Sequence, residues 1–149
     1  MTRWVSKYWT VCRVGLLVLW VRILLRFLSL PTVLSLLEPQ PGLTEGAHTP
    51  VEDLVHYVDR WLLLFPYNTK GSCFPRSVVL YRGARQAGLP VRLHCGVRRE
   101  EGTLDGHAWL TLDGHPFQEP SRQWQQYTVT FSYPFDPYRE KAIEKPAHG

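Results

Sequence analysis

The sequence contains few cysteines and no Cys-x-x-Cys pair. Its three cysteines, Cys12, Cys73 and Cys95, make an odd number in a chain of 149 residues. A disulfide framework normally uses an even number, so the count favours free thiols in a reducing, cytoplasmic compartment. A structural zinc site needs four well-spaced nitrogen or sulfur ligands, and the adjacent His94 and Cys95 would point to opposite faces of a strand. We therefore expect no metal site.

Acidic residues are absent before Glu38. That part of the chain carries five basic residues, whereas the remainder has 12 basic against 13 acidic residues. The net charge of +4 is thus concentrated near the N-terminus. A nucleic-acid-binding domain usually spreads its basic residues over a binding face, so we expect no nucleic-acid partner.

The apolar segment from Val14 to Leu37 lacks an uncharged run of membrane-spanning length. Only eight residues separate Arg13 from Arg22, whereas a span needs about 20. No small-residue cleavage site follows, which argues against a signal peptide. We predict a helix that packs on the core with its arginines exposed, and a shorter helix after a break or kink at Pro31. The alternative is an amphipathic helix that docks on a membrane surface or a partner, and we favour the partner.

The chain divides by composition near residue 48. Residues 1–48 are predicted to form an N-terminal helical segment and a linker rich in Pro and Gly, and residues 49–149 the main domain, packed with it as one unit. The sequence TPVE at residues 49–52 is typical of a capping box with proline at the first helical position. The helix that follows should end near Pro66.

A second helix is predicted from about Cys73 to Ala87, and it should feed an antiparallel sheet. The Asp113-Gly114 pair is a strong hairpin signal. The predicted strands are Val91 to Val97, His107 to Leu112, Pro116 to Glu119 and Tyr127 to Tyr133. Helices followed by antiparallel strands indicate the α+β class.

Cys73 stands in the first turn of its predicted helix. Free N–H groups and the helix dipole favour a negative charge there, so a thiolate would be stabilised and nucleophilic. Its backbone N–H is a candidate oxyanion donor, and Asn68 or the region of Ser72 could supply a second, although a turn-forming role for Asn68 is favoured. Cys12 and Cys95 lie in apolar runs and are interpreted as small buried hydrophobes.

A thiolate nucleophile needs a base that returns the proton to the leaving group, usually histidine. Of the six histidines, His107 is best placed, because we expect it to open a strand at the rim of the sheet after a loop. There it would meet the N-terminus of the neighbouring helix.

The third partner orients the imidazole. Asp113 is close in sequence but lies ~20 Å along the strand at ~3.3 Å per residue. Glu119 returns towards His107, but a regular two-residue loop would pair it with Ala108, on the opposite face. An extra residue or bulge near Gly114 or Pro116 would turn it back. Glu119 is our choice.

Two stretches, CFPRSVVLYRGARQAGLPVRLHCGV at residues 73–97 and GHAWLTLDGHPFQEP at residues 106–120, resemble the transglutaminase-like cysteine protease family that includes the leader peptidases of bacterial lasso peptide biosynthesis. The resemblance extends over roughly Leu16 to Pro120. It implies that residues 49–149 form a transglutaminase-like, papain-like core with Cys73 as nucleophile, His107 as base and Glu119 as acid. The family acid is commonly aspartate, so the glutamate is a departure.

The resemblance also implies a function and its partners. A stand-alone cytoplasmic thiol protease would cleave the leader peptide from a ribosomally made precursor. It would act with a separate leader-recognition protein and an asparagine-synthetase-like cyclase. It would need no cofactor of its own, since ATP would enter only through the cyclase.

Two other functions stay open on the sequence. An amine acceptor in place of water would make the chain an acyltransferase or crosslinking enzyme, because the acyl-enzyme is common to both reactions. Alternatively, the chain is a non-catalytic scaffold of a peptide-maturation complex, in which Cys73 and His107 only pack.

Overall fold

Helices come first along the chain and strands second. The computed structural model describes residues 2–40, 49–65 and 71–135. The helices are α1 (Thr2–Phe27), α2 (Leu30–Leu37), α3 (Val51–Leu63) and α4 (Cys73–Gln86). The strands are β1 (Arg92–Glu100), β2 (Thr103–Leu112), β3 (His115–Phe117) and β4 (Thr128–Tyr133), with a 3₁₀ turn at Arg122–Gln126. The predicted α+β class is confirmed.

Helix α1 begins at Thr2, ahead of the apolar segment that starts at Val14, and its residues 4–9 are exposed. The chain breaks after Phe27, and Pro31 lies inside the first turn of α2. Proline is tolerated there because the N–H it lacks would have no partner within the helix. The two predicted helices are therefore confirmed, with the break slightly before the proline. Among the described residues, no helix combines the length and apolar character needed to cross a bilayer.

One apolar cluster joins the helices to the sheet. Val18 of α1, Leu34 of α2, Val58 of α3 and Leu110 of β2 are all buried in it. Because α1 and α2 share this cluster with the later elements, they pack as part of the body of the protein. The division between residues 48 and 49 stays a prediction.

Helices α1 and α3 approach closely at Gly15. A Cβ atom there would overlap the Trp61 ring, so a larger residue would push the indole away. The Trp61 indole N–H donates to the Val11 carbonyl at 3.0 Å, which fixes the contact between the two helices.

The predicted capping box of α3 is wrong. Pro50 is the N-cap, the helix begins at Val51, and no side chain caps it. A proline N-cap has no side-chain oxygen that could accept a hydrogen bond from the first turn. Residues 41–48 of the predicted linker, and residues 66–70 with Asn68, lie outside the described residues.

The sheet has the order β3-β2-β1-β4 and is antiparallel throughout. β1 and β2 form a long hairpin whose turn, Glu101-Gly102, has φ of 48° and 82°. The segment between the two predicted strands, residues 98–106, is therefore mostly strand and not a loop. His107 lies in the middle of β2 rather than at its start, opposite Gly96 of β1.

The β2–β3 hairpin has the predicted two-residue turn at Asp113-Gly114, with φ of 51° and 82°. Leu112 pairs with His115 and Leu110 with Phe117, so the register is regular. Positive φ at both turn residues is typical of a type I′ turn, which suits the twist of a hairpin. The bulge expected near Gly114 or Pro116 is wrong.

Candidate active site

The first turn of α4 carries Cys73. Cys73 is the first residue of the helix, and Ser72, its N-cap, makes no side-chain capping bond. The Ser72 carbonyl accepts the Arg76 N–H at 3.0 Å, which starts the helical ladder. Gly71 precedes Ser72 and has φ of 77°, a conformation that favours glycine. The thiol is half-buried, at an end of the helix where N–H groups attract negative charge.

A buried hydrogen bond joins α4 to β2 beside the next site residue. The Ser77 hydroxyl donates to the Ala108 carbonyl at 2.9 Å, and both residues are buried. Because Ala108 follows His107 directly, this bond fixes the start of α4 against the strand that carries the histidine. The Cys73 side chain interacts with the His107 imidazole, and this interaction is the largest effect that raises the pKa of His107.

The imidazole of His107 has its second partner in Glu119. His107 Nε2 lies 3.3 Å from Glu119 Oε1, which also accepts the Ser121 N–H at 3.3 Å. This pairing leaves Nδ1 as the ring nitrogen available to the thiol. The Glu119 side chain is only 4% exposed, so its interaction with the imidazole is little weakened by solvent.

Glu119 reaches His107 by a route that the sequence did not predict. In the regular register of the hairpin, a longer β3 would have paired Glu119 with Ala108, facing away from His107. Instead β3 ends at Phe117, and Gln118 adopts φ of 52°. This left-handed residue turns the following side chain towards the imidazole. The irregularity therefore lies immediately before Glu119 and not in the hairpin loop.

The two neighbours of His107 hold it in its protonated form. The hydrogen bond with Cys73, followed by the hydrogen bond with Glu119, raises the pKa of His107 to about 9, against the opposing effect of burial. A protonated imidazole beside the sulfur stabilises a thiolate. The arrangement therefore provides a nucleophile, a proton donor and an orienting carboxylate in one line.

The family comparison agrees with this geometry. Residues 15–132 match the model of the transglutaminase-like superfamily. The chain belongs to this superfamily. No curated protein and no solved structure matches it. The superfamily has a fold of the cysteine peptidase and acyltransferase type, and it generally includes cysteine-type enzymes.

The transglutaminase-like domain brings together all three residues chosen from the sequence, Cys73, His107 and Glu119. Their catalytic roles stay a prediction. Asp113 is exposed in the hairpin turn. In the described ranges, no group of three His, Cys, Asp or Glu side chains is placed to bind a metal ion.

The other two thiols differ from each other. Cys95 is buried, as predicted, and burial together with the nearby Cys73 raises the pKa of its thiol to about 12. Cys12 is exposed, so its interpretation as a buried hydrophobe is wrong. It lies on the side of α1 that faces away from the core cluster.

Sequence reasoning missed an aromatic cluster that surrounds the imidazole. The Trp109 ring stacks on His107 with centroids 5.8 Å apart, and the Tyr127 ring lies 5.1 Å away. Trp124 packs on Trp109 at 6.2 Å. Trp109 could have been found from its spacing, since residues two apart in a strand share a face. The cluster shields the imidazole from solvent on that side.

The raised pKa of His107 predicts how stability depends on pH. Because the folded pKa of about 9 exceeds the ordinary 6.5, the protonated ring contributes fully to the free energy of unfolding below pH 6.5. That contribution should be lost as pH rises through 9, by roughly 1–3 kcal/mol. Urea unfolding between pH 6 and 10 measures it. His107→Gln is the control and should remove this slope; an unchanged slope would show that other groups cause it.

Proposed function

We propose that the protein is a cysteine peptidase that removes the leader peptide from a ribosomally made precursor during lasso peptide biosynthesis. The observation that carries the chemistry is the contact of Cys73 with His107, whose other side meets Glu119. The substrate class rests on the resemblance of residues 73–97 and 106–120 to the leader peptidases.

The proposed reaction has two halves. The Cys73 thiolate attacks the scissile carbonyl carbon, and the S–C bond forms while the carbonyl oxygen becomes an oxyanion. The Cys73 N–H, in the first turn of α4, is a donor for that oxyanion. His107 then donates its proton to the leaving nitrogen as the C–N bond breaks, which leaves an acyl-enzyme.

Water completes the cycle. His107, now neutral, accepts a proton from a water molecule as its oxygen attacks the thioester carbon. The thiolate leaves, the new carboxylate is released, and the imidazole is protonated again. Throughout both halves Glu119 holds the ring in one orientation and stabilises its charged form.

An acyltransferase or crosslinking enzyme is the alternative, because an amine could attack the same acyl-enzyme. The resemblance to leader peptidases favours water as the acceptor. A non-catalytic scaffold is the other alternative, and the thiol, imidazole and carboxylate in one line give it less support.

Mass spectrometry of the products separates these functions. The purified protein would be incubated with a precursor peptide encoded beside its gene, together with the leader-recognition protein. Peptidase activity should give two fragments whose masses add up to that of the precursor plus one water. A covalent amide adduct would instead identify the acyltransferase. An intact precursor, with Cys73 still reactive towards iodoacetamide, would contradict both enzymatic proposals.

Helix α1 is the proposed docking surface for the precursor bound to its recognition protein. An apolar stripe runs along the exposed side of α1, comprising Val5, Trp9, Leu16, Trp20, Ile23 and Phe27. Arg13 and Arg26 are exposed on the same helix. A partner with an apolar face and acidic residues would complement this stripe. Arg22, by contrast, is half-buried over the Phe65 ring at 4.8 Å, so it is not a free surface charge.

Replacing Arg13 and Arg26 with Gln should raise KM for the carrier-bound precursor by up to roughly 30-fold, because each of the two exposed ion pairs contributes at most about 1 kcal/mol. Cleavage of a short peptide that spans only the cleavage site should not change. Steady-state kinetics at two salt concentrations measure this, since salt screens such contacts.

The matched control removes two exposed charges on other elements, with Arg60→Gln in α3 and Arg99→Gln in β1. It should leave both substrates unaffected. Equal losses on both substrates in the α1 variant would show that the arginines support only the fold. Recovery of the wild-type protein in a carbonate-resistant membrane fraction would show that the stripe enters a bilayer instead.

A further inference from the structure

Arg76 of α4 connects its helix to α3 and to the segment that follows β3. It lies three residues after Cys73 in α4, and its side chain is 14% exposed. Its Nε and Nη2 atoms contact the two carboxylate oxygens of Asp59 in α3, at 2.7 and 3.3 Å. Its Nη1 donates to the Gln118 carbonyl at 2.8 Å. One guanidinium therefore connects the nucleophile helix to the residue that precedes Glu119.

Gln118 is the residue that decides where Glu119 points. Its φ of 52° is uncommon for a residue with a side chain, so neighbouring contacts must hold the chain there. β3 has already ended at Phe117, so the Gln118 carbonyl lies beyond the ladder with β2. Arg76 supplies its hydrogen bond.

We propose that Arg76, held in place by Asp59, is a positioning residue that fixes the turn at Gln118 and thereby directs Glu119 onto His107. The inference rests on the proposed function, since it concerns the same triad. Arginine suits this task because its planar fork presents several donors in fixed directions. Two of them bind the carboxylate while a third reaches the carbonyl, which a lysine ammonium could not reproduce with the same geometry.

A second arginine on α4 provides a matched control. Arg85 binds Glu38 through Nε and Nη2, at 3.0 and 2.7 Å, near the other end of the helix. This pair also ties α4 to another part of the chain, but it makes no contact with the triad. Removing it should reproduce any general loss of stability without moving Glu119.

The first readout is the pKa of His107, measured by NMR titration in the absence of any substrate. Two groups raise this pKa, Cys73 on α4 and Glu119 after β3. If Arg76→Gln releases Glu119, the pKa of His107 should fall. If Arg76 acted only as a nearby positive charge, its removal should raise that pKa, because a like charge disfavours the protonated ring. The sign of the change therefore separates the two roles.

The second readout is kinetic, with p-nitrophenyl acetate as the probe of Cys73. Arg76→Gln should lower kcat by roughly 10²-fold with KM almost unchanged, as expected for a misplaced catalytic group. Arg76→Lys should recover part of the rate, and Asp59→Asn should lose less than Arg76→Gln. Arg85→Gln should retain the wild-type rate. The Lys and Asn variants carry the test if Arg76→Gln does not fold.

A double variant shows whether Arg76 acts through Glu119. In a Glu119→Gln background, Arg76→Gln should cause little further change in the His107 pKa or in kcat. Equal effects in both backgrounds, or an Arg76→Gln variant that behaves like Arg85→Gln, would overturn the proposal. If the His107 pKa falls as expected but the precursor is never cleaved, the proposed function fails and the positioning role stands.

Discussion

Alanine in place of Cys73 should abolish precursor cleavage, with a loss of roughly 10⁶-fold in kcat, as found when the nucleophile of a comparable triad is removed. The change deletes one half-buried sulfur atom, so it creates no large cavity and the fold should persist. His107→Ala should lose about as much, because the residues of a triad act as a unit. Cleavage followed by mass spectrometry, together with thermal unfolding of each variant, measures both expectations.

Cys12→Ala is the matched control for this experiment. Cys12 is the exposed thiol of α1, so its removal should lower total iodoacetamide labelling and leave cleavage of a short peptide that spans only the cleavage site at the wild-type rate. Cys95 is too deeply buried to serve, since its replacement would disturb the core. A folded Cys73→Ala variant that still cleaves the precursor would end the peptidase proposal.

Local signals in the sequence predicted the parts of the site that depend on neighbouring residues. The helix start at Cys73 follows a glycine and a serine, and the Asp113-Gly114 turn has the composition that a type I′ turn requires. Both features were predicted at the correct residues. The face that Trp109 shares with His107 was predictable by the same alternation.

Two residues that adopt a positive φ despite having side chains could not be predicted in this way. Glu101 adopts φ of 48° in the β1–β2 turn, which is uncommon for glutamate, so the long hairpin resembled a loop. The left-handed Gln118 accepts a hydrogen bond from Arg76, which lies 42 positions earlier in the chain. The return of Glu119 to His107 was therefore predicted from the sequence. The irregularity that brings it there was predicted in the hairpin loop, whereas it lies at Gln118.

Residues 1–48 were predicted to include a helical segment, but the first residue of α1 was not predicted, for a related reason. Residues 4–9 are all exposed, so they carry no alternation between a buried and a solvent face. Helical periodicity in a sequence records which side packs on a core, and a helix that projects from the body has no such side. Its apolar residues become informative only when a partner is considered.

Glutamine in place of Glu119 should lower kcat by roughly 10²- to 10⁴-fold, less than the loss of Cys73 or His107. In a serine protease triad the equivalent exchange of carboxylate for amide lowers kcat by about 10⁴ and preserves the geometry. The side chain is 4% exposed, so water would not replace the missing charge. The alkaline limb of the pH–rate profile should also move below pH 9, because Glu119 helps to raise the pKa of His107. Initial rates between pH 5 and 10 measure both effects.

Asp113→Asn makes the same carboxylate-to-amide change six residues earlier in the chain and should leave the rate and the pH profile unchanged. Asp113 is exposed in the turn, at a positive φ that asparagine adopts readily. Comparing the two variants therefore separates the effect of losing the carboxylate at Glu119 from the effect of losing any nearby carboxylate. A large loss at Asp113 with a small one at Glu119 would show that the imidazole takes its orientation from elsewhere. A large loss at Glu119 with an unchanged alkaline limb would show that this carboxylate supports the segment around Ser121, whose N–H it accepts at 3.3 Å, and does not act on His107.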